Sequence, residues 1–135
     1  MEFKLLTPDR EVFAGEVELV GGRSGKGSFS VLPRHIPAVM ELEPSTLKLE
    51  NGEGVRRFVV HGGFLFKERD DTVRALTREA RDYEEIDKKE LRQNVDELKE
   101  SLEELDEDQE SGEYQKTRSE LDRAELSLSL IEDEQ

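Results

Sequence analysis

The chain has 135 residues, of which 33% are hydrophobic and 40% are charged, with no cysteine and a formal net charge of −14. A sequence without cysteine excludes disulfides, thiolate nucleophiles and cysteine-based zinc sites, and so negative a charge disfavours nucleic acid, whose phosphates bind clustered Lys and Arg. No stretch approaches the roughly 20 apolar residues of a membrane-spanning helix, so we expect a soluble chain, cytosolic or peripheral to a membrane through its partners.

The charge is distributed unevenly along the sequence. Residues 1–84 carry 13 basic and 15 acidic residues, a net −2, whereas residues 85–135 carry 7 and 19, a net −12. An asymmetry of this size indicates a change of architecture near residue 84. We therefore predict two domains, residues 1–84 and residues 85–135.

The first domain has the pattern of short strands separated by turns. All four prolines and nine of the ten glycines precede residue 64, and turn signals recur about every 8–12 residues, as in sandwiches and barrels. Asn51-Gly52 is a strong hairpin turn, and four glycines between residues 21 and 27 predict a flexible loop. We predict an antiparallel β-sandwich. Its predicted strands are residues 3–7, 11–13, 16–20, 28–31, 46–49, 58–60, 64–66 and 72–76.

The second domain changes to a helical period. Apolar residues recur at spacings of three and four on both sides of a polar break at residues 106–112, which is the pattern of a heptad seam. Asp87, with Glu90 three residues later, predicts the start of the first helix. We predict an antiparallel two-helix hairpin that is only marginally stable by itself. The seam residues are Leu91, Val95, Leu98, Leu102, Leu105, Leu121, Ala124, Leu128 and Ile131.

No catalytic constellation is visible along the sequence. Neither His35 nor His61 has acidic neighbours at metal-ligand spacing, and residues 21–27 lack the GK[ST] ending of a phosphate-binding loop. The pair Asp70-Asp71 and the acidic run 103–113 are better explained as solvated connections than as metal sites. We therefore predict a chain without catalytic residues, cofactor or metal.

The segment around His35 leaves two interpretations open. Pro33 and Pro37 restrict the backbone on either side of the basic pair Arg34-His35. The segment is either a corner of an edge strand whose ring packs locally, or a rigid exposed loop that touches a partner.

Several motifs occur in the order of a known family. The sequences LTPDREVFAGEVE, GKGSFSVLPRHIPAV, VVHGGFLF and TVRALTREA follow one another along the first domain. In this order they resemble the ε subunits of F-type ATP synthases, which are called δ in mitochondria. The resemblance covers nearly the whole chain. The matching residues are Thr7, Pro8, Phe13, Gly15, Gly27, Phe29, Val31, Leu32, Pro33, His35, Pro37, Gly62, Gly63, Leu65, Ile86, Asp87, Tyr114, Ser119, Glu120 and Leu121.

The resemblance implies a non-catalytic subunit of the central rotor. The sandwich would lie against the γ subunit and on the ring of c subunits, and the subunit would help couple ion flow to ATP synthesis elsewhere. The hairpin would contact γ or reach the catalytic α and β subunits, where it can inhibit ATP hydrolysis. No homo-oligomer is required. The chain would be peripheral, at the cytoplasmic face of a bacterial plasma membrane.

The same resemblance assigns a c-ring contact loop. By position it falls on Gly27, Ser28, Phe29, Arg34 and His35. Many relatives carry an acidic residue at the position of Ser28 and a glycine at that of Arg34, so this chain departs from the family twice. We expect Arg34 to pair with acidic groups on the ring.

Two further departures concern regulation. Some bacterial relatives bind ATP in the hairpin through an arginine at the position that Glu90 holds here, so we predict no ATP binding. Inhibitory hairpins commonly use basic residues against an acidic loop of the β subunit, whereas residues 85–135 carry a net −12. Three explanations stay open: weak inhibition, a more basic partner, or a host that works at high salt, where charges are screened within about 3 Å at 1 M.

An alternative function belongs to another class. The acidic hairpin could bind a basic partner, and the chain would then be a free-standing interaction adaptor. A gene position directly after that of an ATP synthase β subunit would favour the rotor subunit over the adaptor. The coupling ion, proton or sodium, stays open.

Overall fold

The computed structural model describes residues 1–105 and 111–133, and the chain divides into two compact units, Met1–Glu85 and Ile86–Gln135. Within these described residues, the first unit contains eight strands and a short 3₁₀ turn at Tyr83–Glu85, and the second contains two helices. The predicted fold class, a β-sandwich followed by a two-helix hairpin, is confirmed. The strands are β1 Glu2–Leu6, β2 Glu11–Glu16, β3 Leu19–Ser24, β4 Gly27–Val31, β5 Ala38–Asn51, β6 Gly54–Lys67, β7 Thr72–Thr77 and β8 Ala80–Asp82.

The strands are hydrogen-bonded in the order β2-β1-β7-β6-β5-β3-β4, and β8 pairs with β6. Buried side chains from both ends of this order, such as Phe3 of β1 and Val31 of β4, belong to one core. The sheet is therefore folded over on itself as a sandwich. Among the strand pairs of the described residues, all are antiparallel except β1 with β7, which run parallel. This parallel pair departs from the predicted antiparallel sandwich.

Strands β5 and β6 are the longest of the sandwich, with 14 residues each, and they form a hairpin. Its turn is fixed by Asn51, whose Oδ1 accepts the backbone N–H groups of Glu53 at 2.8 Å and Gly54 at 3.0 Å. The predicted turn at Asn51-Gly52 is thereby confirmed. The strands bend at Gly62 and Gly63, which have φ values of 93° and 139°, a region that glycine enters at no steric cost.

Four predictions of strands and loops were wrong. The predicted strand 16–20 covers the end of β2 and the start of β3, which are separated by residues 17 and 18. Gly21 and Gly22 lie inside β3, and only Gly25-Lys26 form the turn, so the predicted flexible loop is a regular hairpin. The two predicted strands at residues 58–60 and 64–66 are one strand, β6, because the glycine pair between them bends the backbone without ending the pairing. The three-residue strand β8 was not predicted, since it is too short to show alternation.

The second unit begins at a capped helix. Helix α1, Lys88–Glu104, starts after Asp87, whose Oδ1 accepts the N–H groups of Lys89 at 3.0 Å and Glu90 at 3.2 Å. The predicted N-terminus is confirmed. Helix α2, Gly112–Asp133, follows Ser111, whose hydroxyl accepts the Tyr114 N–H at 3.0 Å. Of the predicted polar break at residues 106–112, residues 106–110 lie outside the described part of the chain.

The two helices pack with apolar side chains between them. Arg92, near the start of α1, lies 3.3 Å from Glu132 at the end of α2, so the helices are antiparallel. Ser127 of α2 is also buried, at 6% exposure, although it is not among the predicted seam residues. Of the predicted seam residues, Leu91, Val95, Leu121, Ala124 and Ile131 are buried, and Leu98, Leu102, Leu105 and Leu128 are half-buried.

Candidate functional site

An exposed loop, residues 32–37, connects β4 to β5. Its apolar side chains point outward, with Leu32 50% and Ile36 73% exposed. The loop contains a turn in which the His35 N–H donates to the Leu32 carbonyl at 3.1 Å. Arg34 has a φ of 67°, the left-handed region that a non-glycine residue rarely adopts. The loop therefore has a defined conformation while its side chains remain accessible.

The carboxylate of Asp71 holds this loop from the β6–β7 turn. Its Oδ1 accepts the Arg34 backbone N–H at 3.1 Å and lies 3.2 Å from the Lys67 ammonium. The Lys67 side chain is only 2% exposed and also donates to the Glu68 carbonyl at 2.9 Å. A buried ammonium needs such partners, because an unpaired buried charge is strongly destabilising. Asp71 thus links the exposed loop to a buried cation.

The surroundings of Asp71 change its acidity. The hydrogen bond from the Arg34 N–H lowers the pKa of Asp71 below the ordinary value, and the Lys67 ammonium lowers it further, while partial burial acts in the opposite direction. Hydrogen bonds and nearby positive charge both favour the ionised carboxylate. The Asp71 carboxylate therefore stays ionised at a lower pH than an ordinary aspartate does.

A cavity of about 500 Å³ opens beside the loop. Both Arg34 and His35, predicted from the resemblance, contribute to it. Sequence reasoning missed Lys67, Arg69 and Asp71, because the acidic pair at residues 70–71 signals a turn but not which loop that turn approaches. The lining residues are Arg34, His35, Ile36, Pro37, Lys67, Arg69 and Asp71.

The other predicted loop residues lie elsewhere. Gly27, Ser28 and Phe29 belong to β4, where they pair with β3, and none of them lines the cavity. Ser28 is exposed, whereas the half-buried Phe29 packs against the core and against Gly22, where an added Cβ would come within 2.8 Å of its ring. Phe29 is therefore anchored to the sandwich, and the five predicted residues form two separate groups.

An apolar patch lies on the sheet surface that β5, β6 and β7 share. Val39 pairs with Phe66, and Phe64 pairs with Leu76, so these four side chains lie on one face. Val39 is 65%, Phe64 49% and Leu76 40% exposed. Contiguous exposed apolar surface of this kind marks interaction sites. Sequence alternation placed Phe64, Phe66 and Leu76 on strands but not Val39, and it did not show that their common face is open.

Metal binding finds no support in the described ranges, 1–105 and 111–133, which contain no group of three His, Cys, Asp or Glu residues suited to hold an ion. The structure does bring Glu79 beside His61, with Oε2 3.9 Å from Nδ1, a proximity that the sequence spacing did not reveal. In the same ranges, neither helix is long and apolar enough to cross a membrane.

The fold and its surfaces define a class of protein: a β-sandwich with an ordered exposed loop, followed by a helical hairpin. The family model described as "ATP synthase, Delta/Epsilon chain, beta-sandwich domain" matches residues 1–82. The chain belongs to this ATP synthase delta/epsilon family, and the resemblance seen in the motifs is confirmed.

Curated relatives carry the name ATP synthase epsilon chain. The protein of Anoxybacillus flavithermus is 37% identical over 87 residues, which are 64% of this chain and 64% of the relative. That of an Exiguobacterium species is 36% identical over 83 residues, 62% of this chain and 61% of the relative. The similarity thus spans less than two thirds of the length of these relatives.

Solved structures show the same fold. One chain of the Euglena gracilis mitochondrial ATP synthase (OSCP/F1/c-ring) superposes with a TM-score of 0.65 at 24% identity, covering 96% of this chain and 76% of that one. A chain of the Tetrahymena thermophila mitochondrial ATP synthase (central stalk/c-ring) gives 0.54 at 21% identity, covering 62% and 67%.

Proposed function

We propose that this chain is a non-catalytic central-stalk subunit of an F-type ATP synthase, which helps couple ion translocation to ATP synthesis. The observation that carries the proposal is the family match over residues 1–82. The two solved neighbours belong to assemblies that contain a c-ring, and one of them is described as the central stalk. The proposal extends that setting to this chain, as a peripheral protein at the cytoplasmic face of a bacterial plasma membrane.

The apolar patch of β5, β6 and β7 is the proposed contact with the γ subunit. Val39, Phe64 and Leu76 are each at least 40% exposed, and Phe64 and Phe66 form a tilted pair with ring centroids 6.5 Å apart. Aromatic side chains of this kind bury large areas at low entropic cost when a partner covers them. A partner that covers this face would stabilise an otherwise solvent-exposed aromatic cluster.

Residues 32–37 and the Ser28 position are the proposed contacts with the ring of c subunits. The loop presents Arg34, His35 and Ile36 to solvent in a conformation fixed by Asp71. A pre-ordered loop binds with a smaller loss of conformational entropy than a flexible one. This geometry suits a contact that must transmit rotation.

The hairpin is the proposed regulatory element, in contact with γ or with the α and β subunits. Its segment carries a net −12, so at low ionic strength an acidic partner loop would repel it. We propose that its inhibition of ATP hydrolysis is weak under those conditions. Glu90, which is exposed in the first turn of α1, stands where ATP-binding relatives have an arginine, and we propose that the hairpin binds no ATP.

Co-purification tests the proposal. The tagged chain, isolated from solubilised host membranes, should retain γ and c subunits in constant ratio. Phe64→Asp should reduce the recovery of γ severalfold, because it places a charge in the apolar patch. Val55→Asp is the matched control, since Val55 is 43% exposed but lies at the opposite end of β6. Failure of the native chain to retain either subunit would overturn the proposal.

A further inference from the structure

Two arginines of the cavity beside residues 32–37 lack internal partners. Arg34 and Arg69 both line this cavity and are exposed. Throughout the described residues, neither guanidinium has a hydrogen-bond or ion-pair partner. Because the whole chain carries a net −14, two uncompensated guanidinium groups in one cavity stand out from the rest of the surface.

The acidic residues nearest in sequence to Arg69 are all engaged elsewhere. Glu68 pairs with Arg74 at 2.5 Å, and Asp70 accepts the Thr72 backbone N–H at 3.2 Å. Asp71 directs Oδ1 to the Arg34 N–H and to Lys67, and its Oδ2 lies 3.9 Å from the Met1 amino group. None of these three carboxylates forms a hydrogen bond or ion pair with the Arg34 or Arg69 guanidinium, and the cavity lining itself contains three basic residues (Arg34, Lys67 and Arg69) but only one carboxylate (Asp71).

The backbone of Arg34 supports a role for its side chain. A left-handed conformation is unfavourable for a residue with a side chain, and Arg34 is held there by its N–H bond to Asp71. Strain of this kind concentrates at binding and catalytic sites. The loop thus holds an arginine in a conformation that glycine would adopt without strain.

We propose that this cavity binds a carboxylate of the membrane-ring partner, with Arg34 and Arg69 as the two groups that contact it. The proposal rests on the proposed rotor function and adds Arg69 to the contact. A guanidinium matches a carboxylate in a two-point geometry that lysine cannot form. Asp71 is a positioning residue, because it fixes the backbone of Arg34 and neutralises Lys67.

An anionic lipid headgroup has related chemistry but fits less well. Electrostatic binding to an anionic membrane typically uses clusters of about 4–8 Lys and Arg. This cavity presents two arginines without counter-ions, and the chain as a whole is strongly acidic. A single carboxylate therefore suits the cavity better than a charged membrane surface.

Charge reversal tests the assignment in the γ-bound chain. The complex of γ with the native chain is titrated onto the immobilised, detergent-purified c-ring, alongside complexes that carry Arg34→Glu or Arg69→Glu. Each reversal should weaken binding about tenfold or more, as measured for close interfacial charge pairs, and added salt should reduce the difference. Arg78→Glu is the matched control, because Arg78 is exposed just beyond the opposite end of β7 and should not change the affinity.

Each outcome has one meaning. If the native complex does not bind the ring, the proposed rotor function fails. If it binds and Arg69→Glu binds equally well, the carboxylate site is overturned while the rotor function stands. The carboxylate site is also overturned if the charge reversals abolish binding to vesicles with roughly one third anionic phospholipid but leave the affinity for the ring unchanged. The cavity would then be a lipid site. Circular dichroism checks that each variant is folded. If a charge reversal unfolds the chain, Arg34→Gln or Arg69→Gln is measured in its place.

Discussion

Gly63 lies where β6 passes closest to the backbone of β7. A Cβ built on it would come within 1.9 Å of the Leu76 carbonyl oxygen, and its φ is 139°. Gly63→Ala should therefore destabilise the chain by about 3 kcal/mol or more, since neither backbone can move away without breaking the ladder. Chemical denaturation followed by circular dichroism measures this change.

Gly25→Ala is the control for that substitution. A Cβ at Gly25 would meet only the Glu43 carboxylate at 3.8 Å, an ordinary contact. Its effect should stay within about 1 kcal/mol. Equal effects of the two substitutions would contradict the close approach at Gly63.

Asp71 gives the stability a dependence on pH. The pKa of this carboxyl is lowered in the folded chain by the Arg34 N–H and by Lys67, so its ionised form stabilises folding above the unfolded value of about 3.9. That contribution disappears as the pH falls through the lower, folded pKa. The native chain should therefore exceed Asp71→Asn in stability at pH 6, and the difference should shrink towards pH 2.

Denaturant midpoints of both chains between pH 6 and pH 2 measure this difference. Comparing the two chains cancels the titration of the other carboxylates that they share. A difference that stays constant over the whole range would show that the Asp71 charge does not stabilise the fold.

At the scale of elements, the cap of α1 can be tested separately from the rest of the hairpin. The Asp87 carboxylate accepts two backbone N–H groups, and removal of such a cap costs about 1 kcal/mol. Asp87→Ala should lower the stability of the hairpin by that amount, seen as faster amide hydrogen exchange in α1. Asp96→Ala, an exposed substitution within the same helix, should leave exchange unchanged or slow it, because alanine favours helices.

The sequence predicted the structure best where the spacing of apolar residues and the capping or turn residues indicated the same element. The seam spacing located both helices, and Asp87 marked the start of α1, because these signals act within one or two turns of chain. It was misleading at Gly21-Gly22 and Gly62-Gly63, where glycines serve close packing and bending inside strands instead of interrupting them. Glycine alone does not distinguish these uses.

The candidate site was only partly predictable for a related reason. Motif resemblance indicated Arg34 and His35, but Lys67, Arg69 and Asp71 are brought to them by pairing of Ala38 with Lys67 across the β5–β6 hairpin. A contact between residues more than 30 positions apart depends on strand register, which short sequence patterns do not specify. The exposed apolar patch escaped prediction because it depends on which face of the sheet is covered.

At the scale of the whole molecule, the charge of the hairpin predicts how regulation responds to salt. At low ionic strength, an assembled ATPase with the full chain should hydrolyse ATP at a rate within about twofold of one lacking residues 86–135. That segment has 7 basic and 18 acidic residues, a net −11, and an acidic partner would repel it. As salt is added and the screening length shortens, inhibition by the full chain should increase. Steady-state ATPase assays across a salt series measure both rates.

A several-fold rise in activity on deletion at low salt would contradict this expectation. The control is the same salt series with the truncated assembly alone, which reports the salt response of the catalytic subunits. The effect of the hairpin is measured by the ratio of the ATPase rate with the full chain to the rate with the truncated chain at each salt concentration.

The continuous pairing of β5 with β6 has a mechanical consequence. Their ladder runs from Ala38 and Lys67 at one end to Asn51 and Gly54 at the other, and it passes through both layers of the sandwich. A sideways force on residues 32–37 would act on β5 directly, because the loop continues into that strand. It would act on β6 through Asp71 and Lys67, at the same end of the ladder. Torque would then spread along many hydrogen bonds in parallel, from the loop end of the ladder towards the Asn51 turn.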